Sequence, residues 1–169
     1  HRIAEARAVR GEIEKQLLEH IGNNKNSVNT DGTGILIKNN ASYNITTEIR
    51  NNTIVDNYHG IWSEDVNVKV LNNIIVKNIG GVGSVDNMGI YHLGSGQSDN
   101  SYNDVWSNGW NYKGDASAGN GSMNLDPKFV YESQRNYNLK TGTTYQSPCL
   151  DTGHPDIAYY DGTLMTTNQ

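Results

Sequence analysis

The sequence has one cysteine, three prolines and one phenylalanine in 169 residues. One thiol cannot form an internal disulfide framework or a cysteine-based zinc site. Charged residues make up 18%, with a net charge of −5 and no Lys/Arg cluster. That excludes the electrostatic footprint of a nucleic-acid or anionic-lipid binder. No apolar run approaches the roughly 18 residues of a membrane span. Strong helix formers are scarce after residue 22. A helical bundle or coiled coil is thereby excluded for most of the chain.

Small polar residues take the vacated places. Glycine occurs 18 times and asparagine 24 times. Short β-branched triplets recur among them, which argues against disorder. The phrase Asn52-Thr53-Ile54-Val55-Asp56-Asn57 returns as Asn73-Ile74-Ile75-Val76-Lys77-Asn78. A looser copy is Asn103-Asp104-Val105-Trp106-Ser107-Asn108. A second phrase opens on glycine: Gly34-Ile35-Leu36-Ile37, Gly60-Ile61-Trp62-Ser63 and Gly89-Ile90-Tyr91-His92. Two interleaved phrases repeating every twenty to thirty residues predict a solenoid. Each triplet makes a short strand, and stacked coils bury what one coil cannot. Asparagine at the corners tolerates left-handed backbone and can bond to the asparagine of the next coil.

Residues 1–22 read differently. Ile3, Ala6, Ile13, Leu17 and Ile21 recur at helical spacing among charged residues, and Gly22 is a stop signal. An amphipathic helix is expected there. It suits a cap on the solenoid or a stalk for self-association. The coils then occupy 23–108, and 109–169 form an irregular closing segment whose aromatics pack on a sheet.

The segment Asn44 to Asn108 resembles the right-handed parallel β-helix repeats of the pectin-lyase-like superfamily. Asp126-Pro127-Lys128-Phe129-Val130, Asn136-Tyr137-Asn138-Leu139 and Ser147-Pro148-Cys149-Leu150-Asp151-Thr152-Gly153 resemble the closing segment of many secreted bacterial β-helix repeat proteins. The resemblance implies an all-β solenoid in an extracellular or cell-surface setting. It implies little about function, because this architecture hosts lyases, hydrolases, adhesins and inert scaffolds.

Three constellations are candidates for chemistry. Asn29-Thr30-Asp31-Gly32 and His59-Gly60-Ile61 resemble two of the four short signatures of polygalacturonase-type glycoside hydrolases. By that resemblance Asp31 is an acidic catalytic residue and His59 supports it. The paired-aspartate signature and the Arg-x-Lys signature of those enzymes are missing. The second candidate is carbohydrate binding. If Ile35, Ile61 and Ile90 point inward, Leu36, Trp62 and Tyr91 point outward, stacked about 4.8 Å apart. Trp62 and Tyr91 in line offer a platform for sugar rings. The third is acidic: Asp31, Asp86 and Glu64-Asp65 sit near corners. No cofactor is expected, though carboxylates at a repeated corner can bind calcium through their oxygens.

Two functional classes follow. One is a non-catalytic module that binds a polysaccharide or glycan, or serves as a surface or filament scaffold. The other is a polysaccharide hydrolase or lyase. The first is favoured, because the sequence shows only fragments of a converging catalytic set.

Overall fold

The computed structural model describes residues 21–22, 32–38, 46–80, 86–142, 144–156, 159–160 and 165–166. In chain order the strands are β1 (Ile21–Gly22), β2 (Thr33–Lys38), β3 (Thr46–Arg50), β4 (Thr53–Val55), β5 (His59–Glu64), β6 (Asn67–Leu71), β7 (Ile74–Val76) and β8 (Met88–Leu93). They continue as β9 (Ser98–Asp99), β10 (Asp104–Trp106), β11 (Trp110–Gly114), β12 (Phe129–Tyr131), β13 (Asn136–Leu139), β14 (Tyr159–Tyr160) and β15 (Met165–Thr166). Among the described residues no helix is long and apolar enough to cross a membrane.

Three parallel sheets make a β-solenoid. The first has the order β1-β4-β7-β10, the second β2-β5-β8-β11 and the third β3-β6-β9. The chain visits the second, third and first sheets in turn. It completes three circuits, β2–β4, β5–β7 and β8–β10, and starts a fourth at β11. The registers follow the sequence phrases: Ile54 faces Ile75, Ile75 faces Val105, Ile35 faces Ile61 and Ile61 faces Ile90. Ile49, Ile54, Ile61, Val68, Val70, Ile75, Ile90, Val105 and Ala116 form one buried cluster. Fully burying each large aliphatic side chain contributes about 1.5–3 kcal/mol.

The stack runs past residue 108. Tyr112 pairs with Ile90 and Lys113 with Tyr91 in β11, and Met123 bridges Asp104 in parallel. The stretch 94–100, which reads as a loop insert, carries β9, with Ser98 facing Val68 and Asp99 facing Lys69. The expected N-terminal helix falls, for residues 1–20, outside the described residues. Its last two positions differ from that expectation. Ile21 and Gly22 pair with Ile54 and Val55 as β1, because Ile21 falls in register with the isoleucines of the first sheet.

The corners flanking the first sheet are held by side-chain amides. Asn52 donates from its backbone N and from Nδ2 to Asn73 Oδ1, at 3.0 and 2.9 Å. Asn73 donates in the same way to Asn103 Oδ1, at 2.9 and 3.0 Å. On the other flank Asn57 donates twice to Asn78 Oδ1, and Asn78 donates twice to Asn108 Oδ1, all within 2.9–3.0 Å. Spare amide protons reach backbone carbonyls, as from Asn73 Nδ2 to Ile49 O and Leu71 O. The ladders end within the chain, on Ser122 Oγ and on Asn111 Oδ1.

Left-handed backbone lies one residue before each ladder asparagine. Asn51, Asp56, Asn72, Lys77, Tyr102 and Ser107 all have φ between 55° and 62°. Only two of these six are asparagine. The turn therefore does not select asparagine for its φ; the ladder selects it for its amide. The same corner explains the glycine of the Gly-Ile phrase. A Cβ on Gly60 would sit 2.5 Å from Gly89 O and 2.8 Å from Ile75 Cγ2. One on Gly89 would sit 2.7 Å from Asn108 Nδ2.

The closing segment covers the outer side of the first sheet. Phe129 packs with Val55 and Val76, and Ile74, Trp106, Tyr137 and Leu139 surround them. The antiparallel pair β12–β13 presents Phe129 and Tyr137 edge to face at 5.0 Å. Lys77 pins it through Glu132 at 2.5 Å while lying over the Trp106 ring. Tyr131 and Tyr145 stay exposed. Farther along, Cys149 Sγ donates to Asp104 Oδ2 at 3.1 Å, and Leu125 N donates to Asp104 Oδ1 at 3.1 Å. Burial pushes the Asp104 carboxyl above the usual aspartate range, and burial with Asp104 beside it pushes the Cys149 thiol up as well.

Three outcomes are expected. Asn73→Leu removes an acceptor for two donors and a donor for three acceptors; urea unfolding should show a loss of about 3 kcal/mol or more. Ser107→Gly, at a φ of 55°, should stay within about 0.5 kcal/mol of the parent. Asp104→Asn tests the buried carboxyl. Because its folded pKa is raised, the folded state binds the proton more tightly than the unfolded state. The stability this contributes is therefore fully present below the unfolded pKa and is lost as pH rises from there through the folded value. The variant should melt higher than the parent at neutral pH, and the gap should close as pH falls through the acidic range.

Candidate functional site

With the first sheet covered, the outer side of the second sheet is the surface to read. Alternation along β5 and β8 sends Ile61, Ser63, Ile90 and His92 inward and Trp62 and Tyr91 outward. Register then builds columns across the coils. Leu36, Trp62, Tyr91 and Lys113 form one. Lys38, Glu64 and Leu93 form a second. Leu36, Leu93 and Trp110 remain exposed.

A cavity of about 270 Å³ opens on this face, lined by Tyr58, His59, Trp62, Asp86, Met88, Tyr91 and Lys113. His59 and Met88 are almost wholly buried, Trp62 and Tyr91 half-buried, and Asp86 exposed. His59, Trp62, Tyr91 and the acidic corner residue Asp86, all singled out from sequence, thus meet in one place. Asp31 lies outside the described residues.

The aromatics do not make a flat platform. Trp62 and Tyr91 stand at 87° with centroids 4.8 Å apart. His59 meets Trp62 at 71° and 5.3 Å, and Tyr58 meets His59 at 85° and 4.6 Å. Edge-to-face contact suits the ring quadrupoles better than a parallel sandwich. The result is two perpendicular ring surfaces in one recess. Lys38 sits over the Trp62 ring at 5.6 Å while bonded to Glu64 at 2.7 Å. Trp62 Nε1 is buried with no acceptor.

Lys113 closes the recess on the side of the fourth coil. Its Nζ donates to Asp86 Oδ1 at 2.5 Å, 27 residues away in sequence. That hydrogen bond and charge hold the Asp86 carboxyl below the usual range. Sequence reading missed Lys113 as a wall residue. Its only signal was alignment of Asn111-Tyr112-Lys113 with Gly89-Ile90-Tyr91, and the missing glycine conceals it. Tyr58 and Met88 carry no motif at all.

The acidic corner residues are engaged separately. Asp86 pairs with Lys113 and Glu64 with Lys38. Asp65 Oδ1 accepts from Ser95 N at 2.8 Å and Ser95 Oγ at 3.1 Å, bonds that lower its pKa. Among the described residues no group of three or more His, Cys, Asp or Glu is placed to hold a metal ion.

Another pair looks catalytic by type alone. Ser63 Oγ lies 2.8 Å from His92 Nδ1. Both residues are buried on the inner side of the sheet, between coils, where no substrate reaches them. They are a polar rung inside the apolar column. A smaller cavity of about 80 Å³ lies in the seam between the first sheet and the closing segment, beside Asn52, Asp104 and Cys149. No family model, curated protein or solved structure matches the chain.

Proposed function

We propose that this protein is an extracellular or cell-surface module of the pectin-lyase-like superfamily that binds carbohydrate, without cleaving it, in the recess of the second sheet. The observation that carries the reading is the meeting of Trp62 and Tyr91 in one cavity with the polar Asp86–Lys113 pair at its wall. Sugar rings present apolar C–H faces and polar hydroxyl edges. An aromatic surface beside hydrogen-bonding groups answers both. The three-sheet parallel stack supports the superfamily reading, and the extracellular setting is what that resemblance implies.

The non-catalytic part of the reading rests on the charges. Glycoside hydrolysis uses two carboxyl groups flanking one glycosidic bond. The described wall of the recess carries one, Asp86, and Lys113 is bonded to it. His59, the supporting catalytic residue implied by resemblance, is 2% exposed and sits in ring contact with Tyr58 and Trp62.

A panel of immobilised neutral and uronic-acid polysaccharides tests this. At least one should retain the protein. Trp62→Ala should weaken that retention about tenfold or more while leaving the melting temperature within a few degrees of the parent. Released sugar product, with or without calcium, or full retention by Trp62→Ala, would overturn the reading.

A further inference from the structure

We infer that the recess recognises a single neutral pyranose through two adjacent ring hydroxyls, with Asp86 and Lys113 as the specificity-determining pair. This inference rests on the carbohydrate reading above and goes beyond it to the class of sugar.

Size comes first. Sites for drug-sized ligands run to about 300–1,000 Å³. At about 270 Å³ this open recess has room for one ring between its walls. The perpendicular Trp62 and Tyr91 rings agree with that limit. Two coplanar rings one coil apart would present a runway for consecutive residues of a polysaccharide. Two rings at 87° make a corner, which contacts one sugar on two sides.

Charge comes second. Among the described residues the wall carries one carboxylate, Asp86, and one ammonium, Lys113, and the two are bonded to each other. Their charges cancel. A uronate, sulfate or phosphate placed here would gain Lys113 but meet Asp86 at the same point. A neutral ligand meets no such repulsion.

Hydrogen-bond geometry comes third. A carboxylate only accepts and an ammonium only donates, whereas a hydroxyl does both. Asp86 Oδ1 and Lys113 Nζ stand side by side at 2.5 Å. Adjacent gauche hydroxyls on a pyranose present two oxygens at a comparable spacing. One hydroxyl donates to Asp86 while its neighbour accepts from Lys113. Both bonds are charge-assisted, so they are the strong kind.

The fold also supplies the pair for this place alone. The corner from Asn57 to His59 has one intervening residue, Tyr58. The equivalent corner from Asn78 to Met88 is longer by an insert, and Asp86 comes from that insert. Lys113 comes from the fourth coil, directly beside Tyr91. An exposed ion pair contributes little to folding by itself. Its place on the wall of the recess that Trp62 and Tyr91 line is what gives it a use.

The experiment is titration calorimetry of the full chain with simple glycosides: methyl glucoside, methyl galactoside and methyl mannoside, their single-deoxy analogues, and methyl glucuronide and galacturonide. Expected is binding of at least one neutral glycoside, at least tenfold weaker binding of its analogue lacking one hydroxyl of the engaged pair, and at least tenfold weaker binding of the uronides. Asp86→Asn and Lys113→Met should each weaken the neutral glycoside about tenfold with an unchanged melting temperature. Melting separates recognition from a merely structural ion pair, whose loss would move stability and not affinity. If the uronides bind as tightly as the neutral glycosides, the inference is overturned while the carbohydrate reading stands. The same holds if both variants bind the neutral glycoside like the parent. If none of these glycosides binds and no polysaccharide in the earlier panel is retained, both fail together.

Discussion

The amide ladders set the terms for everything else in this molecule. A parallel coil can slip against its neighbour, because β-branched residues fill a column almost equally well in shifted registers. An asparagine that must give two protons to one oxygen in the next coil cannot slip without leaving buried polar atoms unpaired. Asn73 and Asn78 therefore fix the two corners of the first sheet in every coil they touch. The left-handed residues ahead of them follow from the direction in which the amide must point. Left-handed backbone costs roughly 1–2 kcal/mol for a residue such as Lys77 or Tyr102, and the paired amide bonds offset it.

Pinning the corners frees the connections between them. The step from Asn57 to Asn78 is 21 residues and that from Asn78 to Asn108 is 30, yet the bonds at both are the same. The longer step adds residues between the ladder asparagines without changing the bonds that those asparagines make. The insert before Met88 carries Asp86 to the rim of the recess. The glycines at 60 and 89 let the chain pass under the ladder and emerge one coil spacing apart. Trp62 and Tyr91, two residues later, are then held at a fixed separation by backbone bonds and not by their own packing.

The sequence showed the first and second sheets clearly and the third hardly at all. Ile54 opposite Ile75 and Ile61 opposite Ile90 were legible because β-branched triplets repeat between asparagine and glycine markers. The third sheet lacks such markers. Its outward positions Glu48, Lys69 and Asp99 are charged, and β9 has no apolar residue. A two-residue strand held only by backbone bonds leaves no hydrophobic signature. The β11 strand was hidden for a related reason: its glycine is absent. Ile21 looked helical because helical spacing ignores what lies opposite in space. In the recess, outward Trp62 and Tyr91 followed from alternation, whereas their perpendicular rings and the Asp86–Lys113 bond depend on contacts between coils that no local pattern encodes.

The ladders have one more property. In both of them each bonded amide oxygen accepts from the preceding coil, and each asparagine sends its backbone N–H and one amide proton forward to the next. The column is thus a vector, with an acceptor-bearing head and a donor-bearing tail. At the head, Asn52 Oδ1 is buried with no donor; at the tail, Asn111 and Ser122 absorb the last protons. The two ends are chemically unlike. A coil turned end for end would bring oxygen against oxygen, so any lengthening of this solenoid has to preserve one sense of travel.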